Sequence, residues 1–283
     1  MNNLNNKRTL PFSEDYWKEE GGHKWVEYLD ATETSLEPFN KIMLEYTGIT
    51  EAEVVLEVGC GGGANSIELA KRVGSGGSVT AVDISAPILS IARARGAGIQ
   101  NLEFVEGDAA IIKLETGHYD LIFSRFGVMF FSAPVCAFVH LRNSMKPSAR
   151  MVFLCWRTLE ENAWMNVPTR AIFTIIPPAG PPPAPDDPGP FSLASRTRIE
   201  EILTAAGFRM IQVKAVDIKM ELGTLPDTVE YFMKMGPGAA ALAGADEHQK
   251  DTVSDVLTKA LRQFETAGKV IAPAAAWIVS ARF

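Results

Sequence analysis

Short apolar runs alternate with amphipathic segments through the middle of the chain. The first apolar run is Val54–Val58, and a helical pattern follows it over Ala64–Val73. Later strands are predicted at Ser78–Val82 and in the runs NLEFVEGDA, YDLIFSRF and ARMVFLCW, with helical patterns that begin at Pro87 and Pro134 among them. Strands separated by helices at this spacing predict a parallel sheet that is covered on both faces. Ligands of such sheets bind at the carboxyl ends of the strands.

The pattern differs on either side of this central region. Residues 12–46 have helical spacing, which Gly21-Gly22 and Pro38 are expected to interrupt. Residues 174–191 are rich in proline, so neither a regular helix nor an interior strand is expected there. Behind them an amphipathic helix, RTRIEEILTAAGF, and two strands, RMIQVKAVDIKME and AAAWIVSARF, resume the earlier rhythm, with helical patterns between the two strands.

These changes predict how the chain is divided. We expect an N-terminal helical lid over residues 1–46 and a second domain over residues 47–283. Inserts at 157–194 and 222–270 interrupt an otherwise regular sheet, and we expect them to form a cap over the substrate.

Composition and charge exclude some classes of function. The chain of 283 residues is 47% hydrophobic and 22% charged, which is typical of a soluble globular protein. Its net charge is -7 and it has no cluster of Lys and Arg, so a nucleic-acid partner is disfavoured. The N-terminus lacks the apolar segment of a secretory signal, and no stretch reaches the roughly 18 apolar residues of a membrane span. We therefore expect a cytoplasmic protein without a membrane partner.

The cysteines do not predict a metal site. Cys60, Cys136 and Cys155 are widely spaced, and no pair has the spacing of zinc ligands or of a disulfide framework. They are interpreted as small buried residues of a protein from a reducing compartment.

The glycine-rich turn after the first strand predicts a ligand site. Gly59-Cys60-Gly61-Gly62-Gly63-Ala64 satisfies the dinucleotide pattern G-x-G-x-x-G/A. Asp83 lies 19 positions after Ala64, close to the spacing of an acid that binds ribose hydroxyls. These two features keep an NAD(P)-dependent oxidoreductase open as a hypothesis.

Three further residues favour a ligand without phosphate. Glu57 lies two positions before the turn, where a carboxylate would repel a pyrophosphate but would suit an ammonium group. Asp108 ends the third strand and can accept a hydrogen bond from an exocyclic amine such as that of adenine, while Ser124 lies near the end of the fourth strand. S-adenosylmethionine has an ammonium group, two ribose hydroxyls and an adenine amine, with a sulfonium charge in addition.

Residues 54–156 resemble the class I S-adenosylmethionine-dependent methyltransferases, and among them an uncharacterised bacterial group of the small-molecule type. The resemblance lies in the glycine turn, the acidic strand ends and the segment YDLIFSRFGVMFF. It implies an α/β, Rossmann-like, seven-stranded and mostly parallel sheet with helices on both faces and an antiparallel last strand. It also implies S-adenosyl-L-methionine as the cofactor. Ser148-Ala149 stands where the family often has Gly-Gly, a departure confined to a turn.

The resemblance also implies which residues bind the cofactor. The glycines of the turn would approach the methionine moiety, Asp83 the ribose, and Asp108 the adenine amine. Ser124 and Arg125 would lie at the methionine end, although Arg125 could equally form an ion pair with a carboxylate. The implied set is Glu57, Gly59, Gly61, Gly63, Asp83, Ile84, Asp108, Ala109, Ser124 and Arg125.

The acceptor and the enzymatic character are inferred less directly. The segment SRFG lacks the Asn/Asp-Pro-Pro-aromatic signature that resembles methylation of nucleic-acid amines, so a small organic acceptor with an O, N or C nucleophile is favoured. A non-catalytic domain that only binds S-adenosylmethionine would carry the same turn. The long inserts favour an enzyme, because a sensor needs no second site.

Aromatic residues are the candidates for the substrate pocket. Trp17 and Trp25 belong to the expected lid, Phe126 follows the fourth strand, and Tyr231 lies in the second insert. Each could instead serve in ordinary core packing. A general base is needed only for a nucleophile that arrives protonated, and His23 is the candidate, with a structural role as its alternative.

Overall fold

The computed structural model describes residues 14–178, 184 and 187–283. The helices are α1 Glu14–Lys18, α2 Glu20–Glu27, α3 Leu29–Thr47, α4 Ala64–Val73, α5 Ala86–Arg95, α6 Pro134–Ser144, α7 Ala163–Phe173, α8 Arg196–Ala205, α9 Leu225–Lys234, α10 Gly236–Leu242 and α11 Glu247–Leu261. The strands are β1 Val54–Val58, β2 Ser78–Asp83, β3 Leu102–Glu106, β4 Tyr119–Arg125, β5 Met145–Trp156, β6 Arg209–Glu221, β7 Glu265–Thr266 and β8 Lys269–Arg282.

The strands form a sheet in the order β3-β2-β1-β4-β5-β8-β6, with the short β7 paired to β8 beside this path. The pairs from β3 to β5 are parallel, whereas β8 runs antiparallel to both β5 and β6. The Rossmann-like architecture with an antiparallel last strand is therefore confirmed.

Both faces of the sheet are covered by helices. Leu121, Ile122 and Phe123 are consecutive in β4, and the exposed fraction of each is 0%. Because successive side chains of a strand point to opposite faces, buried neighbours require packing on both sides. This explains the continuous apolar runs in the sequence.

The predicted breaks in the N-terminal helical region are wrong. Gly21 and Gly22 lie inside α2, and Pro38 lies inside α3, while the helices are separated at Glu19 and Tyr28. A Cβ at Gly22 would lie 2.3 Å from Ser85 Oγ, so this glycine permits close packing instead of ending a helix.

Burial explains why α3 continues through its proline. An interior proline costs a helix about 3 kcal/mol. The side chains of Phe39 and Met43 in the same helix are 0% exposed, and burial of such side chains contributes about 1.5–3 kcal/mol each. The apolar face of α3 thus offsets the proline.

The two inserts contain additional helices. The first includes α7, which the sequence pattern did not predict, and the second contains α9, α10 and α11. Residues 179–183 and 185–186 of the proline-rich segment lie outside the described residues. Beyond them, Gly189 N and Ser192 Oγ donate to Met129 O at 3.1 and 2.6 Å, which attaches this segment to the loop after β4.

In the part of the chain that the structure describes, no helix combines the length and the apolar character needed to cross a membrane.

Candidate functional site

The glycine turn connects β1 to α4 at the carboxyl edge of the sheet. Gly59, Gly61 and Gly63 have φ values of 72°, 54° and 81°, the left-handed region that glycine adopts without a steric penalty. A Cβ at Gly59 would lie 3.0 Å from Gly127 Cα. The turn therefore packs directly against the loop that follows β4.

The backbone N–H groups of the turn are largely used within the protein. A dinucleotide-binding turn presents free N–H groups to a pyrophosphate. Here the donors are bonded to neighbouring backbone or to one carboxylate, which disfavours a pyrophosphate ligand. The bonds are Gly59 N and Cys60 N to Val82 O (2.8 and 3.1 Å), Gly63 N to Cys60 O (3.1 Å), and Gly61 N to Asp83 Oδ2 (2.8 Å).

Glu57 is an acid buried at the base of the turn, with an exposed fraction of 1%. Ser66 Oγ, from the first turn of α4, donates to Glu57 Oε2 at 2.5 Å. Burial raises the pKa of Glu57 to about 7, with the Ser66 hydrogen bond and the Arg125 charge opposing that rise. A cationic group placed here would be stabilised by the carboxylate.

Arg125 is a cation at the end of β4 that interacts electrostatically with Glu57. Its burial lowers the pKa of the guanidinium from its ordinary value. Arg125 Nη1 donates to Asn40 Oδ1 at 2.8 Å, and Asn40 belongs to α3. The site thus holds a carboxylate and a guanidinium on the neighbouring strands β1 and β4.

Asp83 ends β2 next to the turn. Its Oδ2 accepts from Gly61 N and its Oδ1 accepts from Ser85 N at 3.0 Å. Burial raises the pKa of Asp83, while these backbone hydrogen bonds lower it. A carboxylate has more acceptor positions than these bonds occupy, so Asp83 can still accept from hydroxyl groups of a ligand.

The hydroxyl of Ser85 lies against Gly22 of α2 and is unsatisfied. Ser85 is 0% exposed, and its Oγ has no hydrogen-bond partner among the described residues. An orphaned buried hydroxyl is costly unless a ligand or water completes it.

The remaining implied cofactor residues have mixed surroundings. Asp108 Oδ1 accepts from Ala110 N at 2.8 Å, and Ala109 is buried beside it. Ile84 follows Asp83 and is half-buried. Ser124 Oγ donates to Val58 O at 2.8 Å, so its proton connects two strands and is not available to a ligand.

Aromatic side chains surround the end of β4. Phe126 stacks on Trp156 with ring centroids 4.0 Å apart and planes 11° apart, and Phe39 meets both rings edge-on at 5.5 and 5.4 Å. Phe126 has a φ of 60°, a strained conformation for a bulky residue, and such strain often occurs at functional sites.

The candidate pocket residues of the lid and the second insert join two further clusters. Trp17 lies edge-on to Trp25 at 5.7 Å and to Phe130 at 5.2 Å. Tyr231 of α9 lies edge-on to Tyr28 at 5.5 Å. The lid therefore contacts both the loop after β4 and the second insert.

A small apolar cavity of about 30 Å³ lies under the second insert. Trp156 and Trp164, 5.2 Å apart, connect it to the Phe126 stack. No Lys, Arg or His is among the described residues that line it: Trp164, Met165, Thr169, Ile172, Tyr231, Phe232, Met235, Gly236 and Gly238.

The structure gives His23 no support as a base. Its side chain is exposed on α2 and makes no hydrogen bond to the residues that are described. Asn40, Ser66 and Ser85 are site residues that the sequence analysis missed. Ser66 could have been found as a polar residue on the buried side of an amphipathic helix, but the other two carry no local signal.

Known proteins resemble this chain over its central part. The family model of a methyltransferase domain matches residues 55–148. Demethylmenaquinone methyltransferase of Staphylococcus aureus is 28% identical over 116 residues, which are 41% of this chain and 48% of that protein. The chain thus matches about half the length of these curated relatives.

Solved structures resemble it over a longer stretch. Phosphoethanolamine N-methyltransferase 2 of Haemonchus contortus, in complex with S-adenosyl-L-methionine, superposes with a TM-score of 0.59 at 16% identity, over 98% of this chain and 61% of that one. The YcgJ protein of Bacillus subtilis gives a TM-score of 0.57 at 13% identity, over 86% of this chain and 97% of that one. At these identities the likeness shows the fold.

Proposed function

We propose that this chain, which carries a class I S-adenosylmethionine-dependent methyltransferase domain over residues 55–148, transfers a methyl group to a small organic acceptor. The observation that carries the proposal is the placement of Glu57 and Arg125 on the neighbouring strands β1 and β4 beside the glycine turn, where the two charges interact. A buried carboxylate next to a guanidinium is complementary to the ammonium and carboxylate groups of an amino acid, which the methionine moiety provides.

The residues present fit this cofactor. Glu57 is a carboxylate buried at the base of the turn, and an ammonium group bound there would stabilise its charged form against the cost of burial. Asp83 retains acceptor capacity for ribose hydroxyls beyond the two backbone hydrogen bonds that it accepts. The N–H groups of Gly59, Cys60, Gly61 and Gly63 are already bonded, which is compatible with a ligand that has no phosphate.

The chemistry assigned to the protein is positioning. When bound, S-adenosylmethionine supplies a methyl group that is activated for in-line displacement by a sulfonium charge. Glu57 and Arg125 would fix the amino acid end, and Asp83 the ribose, so that the reactive carbon has a defined orientation. The rings of Phe126, Trp17 and the lid would exclude water from the acceptor.

The nature of the acceptor is supported by the aromatic surroundings. Such apolar walls suit a small organic molecule, with hydroxyls such as that of Tyr231 for orientation. The relatives' names point to unlike acceptors, demethylmenaquinone and phosphoethanolamine, so they do not select among O, N and C nucleophiles.

Two experiments distinguish the proposed enzyme from an oxidoreductase and from a non-catalytic binding module. Calorimetry with S-adenosylhomocysteine and with NAD tests the oxidoreductase, because we expect binding of the first ligand only. Incubation with S-adenosylmethionine and a broad set of small acceptors then tests the binding-module alternative. Formation of S-adenosylhomocysteine supports the enzyme, whereas binding of NAD alone contradicts the proposal.

A further inference from the structure

The amide of Asn40 has a fixed orientation inside the protein. Asn40 is 5% exposed, its Nδ2 donates to Glu37 Oε2 at 3.2 Å, and its Oδ1 accepts from Arg125 Nη1 at 2.8 Å. A flipped amide would point its NH₂ group at a guanidinium and its oxygen at a carboxylate, both of which are repulsive. The two charged neighbours therefore determine that the amide oxygen, and not the amide nitrogen, faces Arg125.

The helix that carries Asn40 is held in the core. Its neighbours Phe39 and Met43 are 0% exposed, and Leu36 is 5% exposed. The Asn40 oxygen is thus a rigid acceptor and not a mobile surface group. Among the described residues, it is the hydrogen-bond partner of the Arg125 guanidinium.

A guanidinium that binds a carboxylate with two parallel bonds must be held in a defined plane. One bond from Nη1 to a rigid acceptor restricts that plane and leaves the other N–H groups for a ligand. We infer that Asn40 is a positioning residue, which holds Arg125 in the orientation that the carboxylate of the methionine moiety requires. The inference rests on the proposed function, because that function assigns the methionine moiety to Arg125.

Asn40 lies outside residues 55–148, so a helix beyond the matched domain would complete the cofactor site. The effect should be confined to ligands that carry the amino acid. S-adenosylhomocysteine carries it, whereas 5′-methylthioadenosine has the same adenosine part without it. Comparing these two probes separates a positioning role from a general loss of structure.

The experiment measures the dissociation constants of both probes by calorimetry for the wild type, Asn40→Leu, Asn40→Asp and Ser35→Ala. Because Asn40→Leu removes a hydrogen bond to a charged group, we expect it to weaken the binding of S-adenosylhomocysteine about 10- to 100-fold. The dissociation constant of 5′-methylthioadenosine should change by less than about threefold, within the context-dependent variation of such effects. Asn40→Asp keeps an oxygen acceptor for Arg125 but places its second oxygen against Glu37, so it should recover only part of the affinity.

Ser35→Ala is the matched control, because Ser35 is a buried polar residue of the same helix whose hydroxyl bonds to Ala31 O and Glu221 O instead of to Arg125. It should leave both constants unchanged. If Asn40→Leu does not fold, Asn40→Ser, which has too short a side chain to reach Arg125, supports the same comparison.

Two results would overturn the inference. If Asn40→Leu weakens the binding of both probes equally, Asn40 has a structural role only. If the wild type binds both probes with equal affinity, Arg125 does not bind the methionine moiety. A wild type that binds neither probe contradicts the proposed function itself. A combined Asn40→Leu and Arg125→Ala variant should bind S-adenosylhomocysteine no more weakly than Arg125→Ala alone, because Asn40 acts only through Arg125.

Discussion

Among single residues, Glu57 couples the stability of the protein to pH. Burial raises its pKa to about 7 in the folded protein, whereas the unfolded chain has the ordinary value of 4.5. The folded state therefore binds more protons between these values, and its stability falls as the pH rises from about 4.5 to about 7. The neighbouring charges are Asp83, which adds to the rise, and Arg125, which opposes it.

We predict that Glu57→Gln removes part of this pH dependence. The pKa shift of Glu57 corresponds to a contribution to the free energy of unfolding on the order of 3 kcal/mol. The wild type loses this contribution as the pH rises toward 7, whereas the variant with an uncharged glutamine does not. Chemical denaturation at pH 5 and pH 8, without ligand, measures both proteins. If the difference between the two pH values is the same in the wild type and the variant, Glu57 is not the group responsible.

We also predict that Asp83→Ala weakens the binding of S-adenosylhomocysteine by roughly 1–3 kcal/mol, because a charged acceptor for ribose hydroxyls is lost. Asp83 also holds Gly61 N and Ser85 N, so the variant's unfolding must be measured alongside. Asp83→Asn, which keeps an oxygen acceptor, is the control and should lose less affinity. An unchanged dissociation constant in a folded Asp83→Ala would place the ribose elsewhere.

Among the elements, the N-terminal helices differ in their relation to the sheet. Trp17 of α1 contacts Phe130 in the loop after β4, and Trp25 of α2 packs against Trp17. α3 instead contributes Phe39 to the ring cluster with Phe126 and Trp156. Of the lid predicted for residues 1–46, residues 1–13 lie outside the described residues, α1 packs against the loop after β4, and α3 belongs to the core.

This difference predicts separable effects of deletion and substitution. Removal of residues 1–28 should leave the sheet folded and should reduce turnover more than cofactor affinity, because closure and water exclusion act on the reaction. Trp25→Ala should lower turnover in the same direction. Circular dichroism, calorimetry with S-adenosylhomocysteine and product formation measure the three quantities. A truncated chain with full turnover would leave the lid without a role.

Substitution in α3 should act on stability instead. We predict that Phe39→Ala lowers the free energy of unfolding by about 3–5 kcal/mol, the usual cost of a large cavity in a core. Urea denaturation measures it, and Lys41→Ala, an exposed change in the same helix, is the control. A loss below about 1 kcal/mol, typical of surface substitutions, would contradict the assignment of α3 to the core.

The elements show what the sequence could predict. The bounds of β1, α4 and β6 follow from local periodicity, and the structure has them where the pattern indicated. The interruptions expected at Gly22 and Pro38 failed because packing against Ser85 and burial of α3 override local preference. Neither cause is visible locally.

The candidate site was predictable to the extent that strand ends converge. Glu57 and Asp83 follow from their positions at the carboxyl edge, whereas Arg125 was implied only by the family resemblance. Asn40 could not be predicted, because its partner lies 85 positions away in the chain and the pattern around it is that of an ordinary amphipathic helix.

For the whole molecule, the hydrophobic core is continuous across the expected domain boundaries. One cluster of buried residues includes Leu36 of α3, Phe123 of β4, Leu257 of α11 and Val279 of β8. The N-terminal helix, the sheet and the second insert therefore share the same interior. The division into a lid and a second domain stays a prediction at the level of chain segments, but stability is expected to be shared.

We predict that the protein unfolds in one cooperative transition. Thermal unfolding followed by far-ultraviolet circular dichroism and by intrinsic fluorescence should give coincident curves. S-adenosylhomocysteine should raise the midpoint, because it binds only the folded state. A separate early transition in either signal would indicate that the second insert or the lid unfolds independently.

The stack of Phe126 on Trp156, continued by Trp164, has an optical consequence. Two indoles with centroids 5.2 Å apart exchange excitation, so a change at one ring alters the emission of both. The loop that carries Phe126 contacts the glycine turn at Gly127. We therefore expect a ligand bound at that turn to quench the tryptophan fluorescence or to shift its emission wavelength. The protein thus contains its own spectroscopic probe of the candidate site, and ligands could be screened by their effect on its light emission before any acceptor is known.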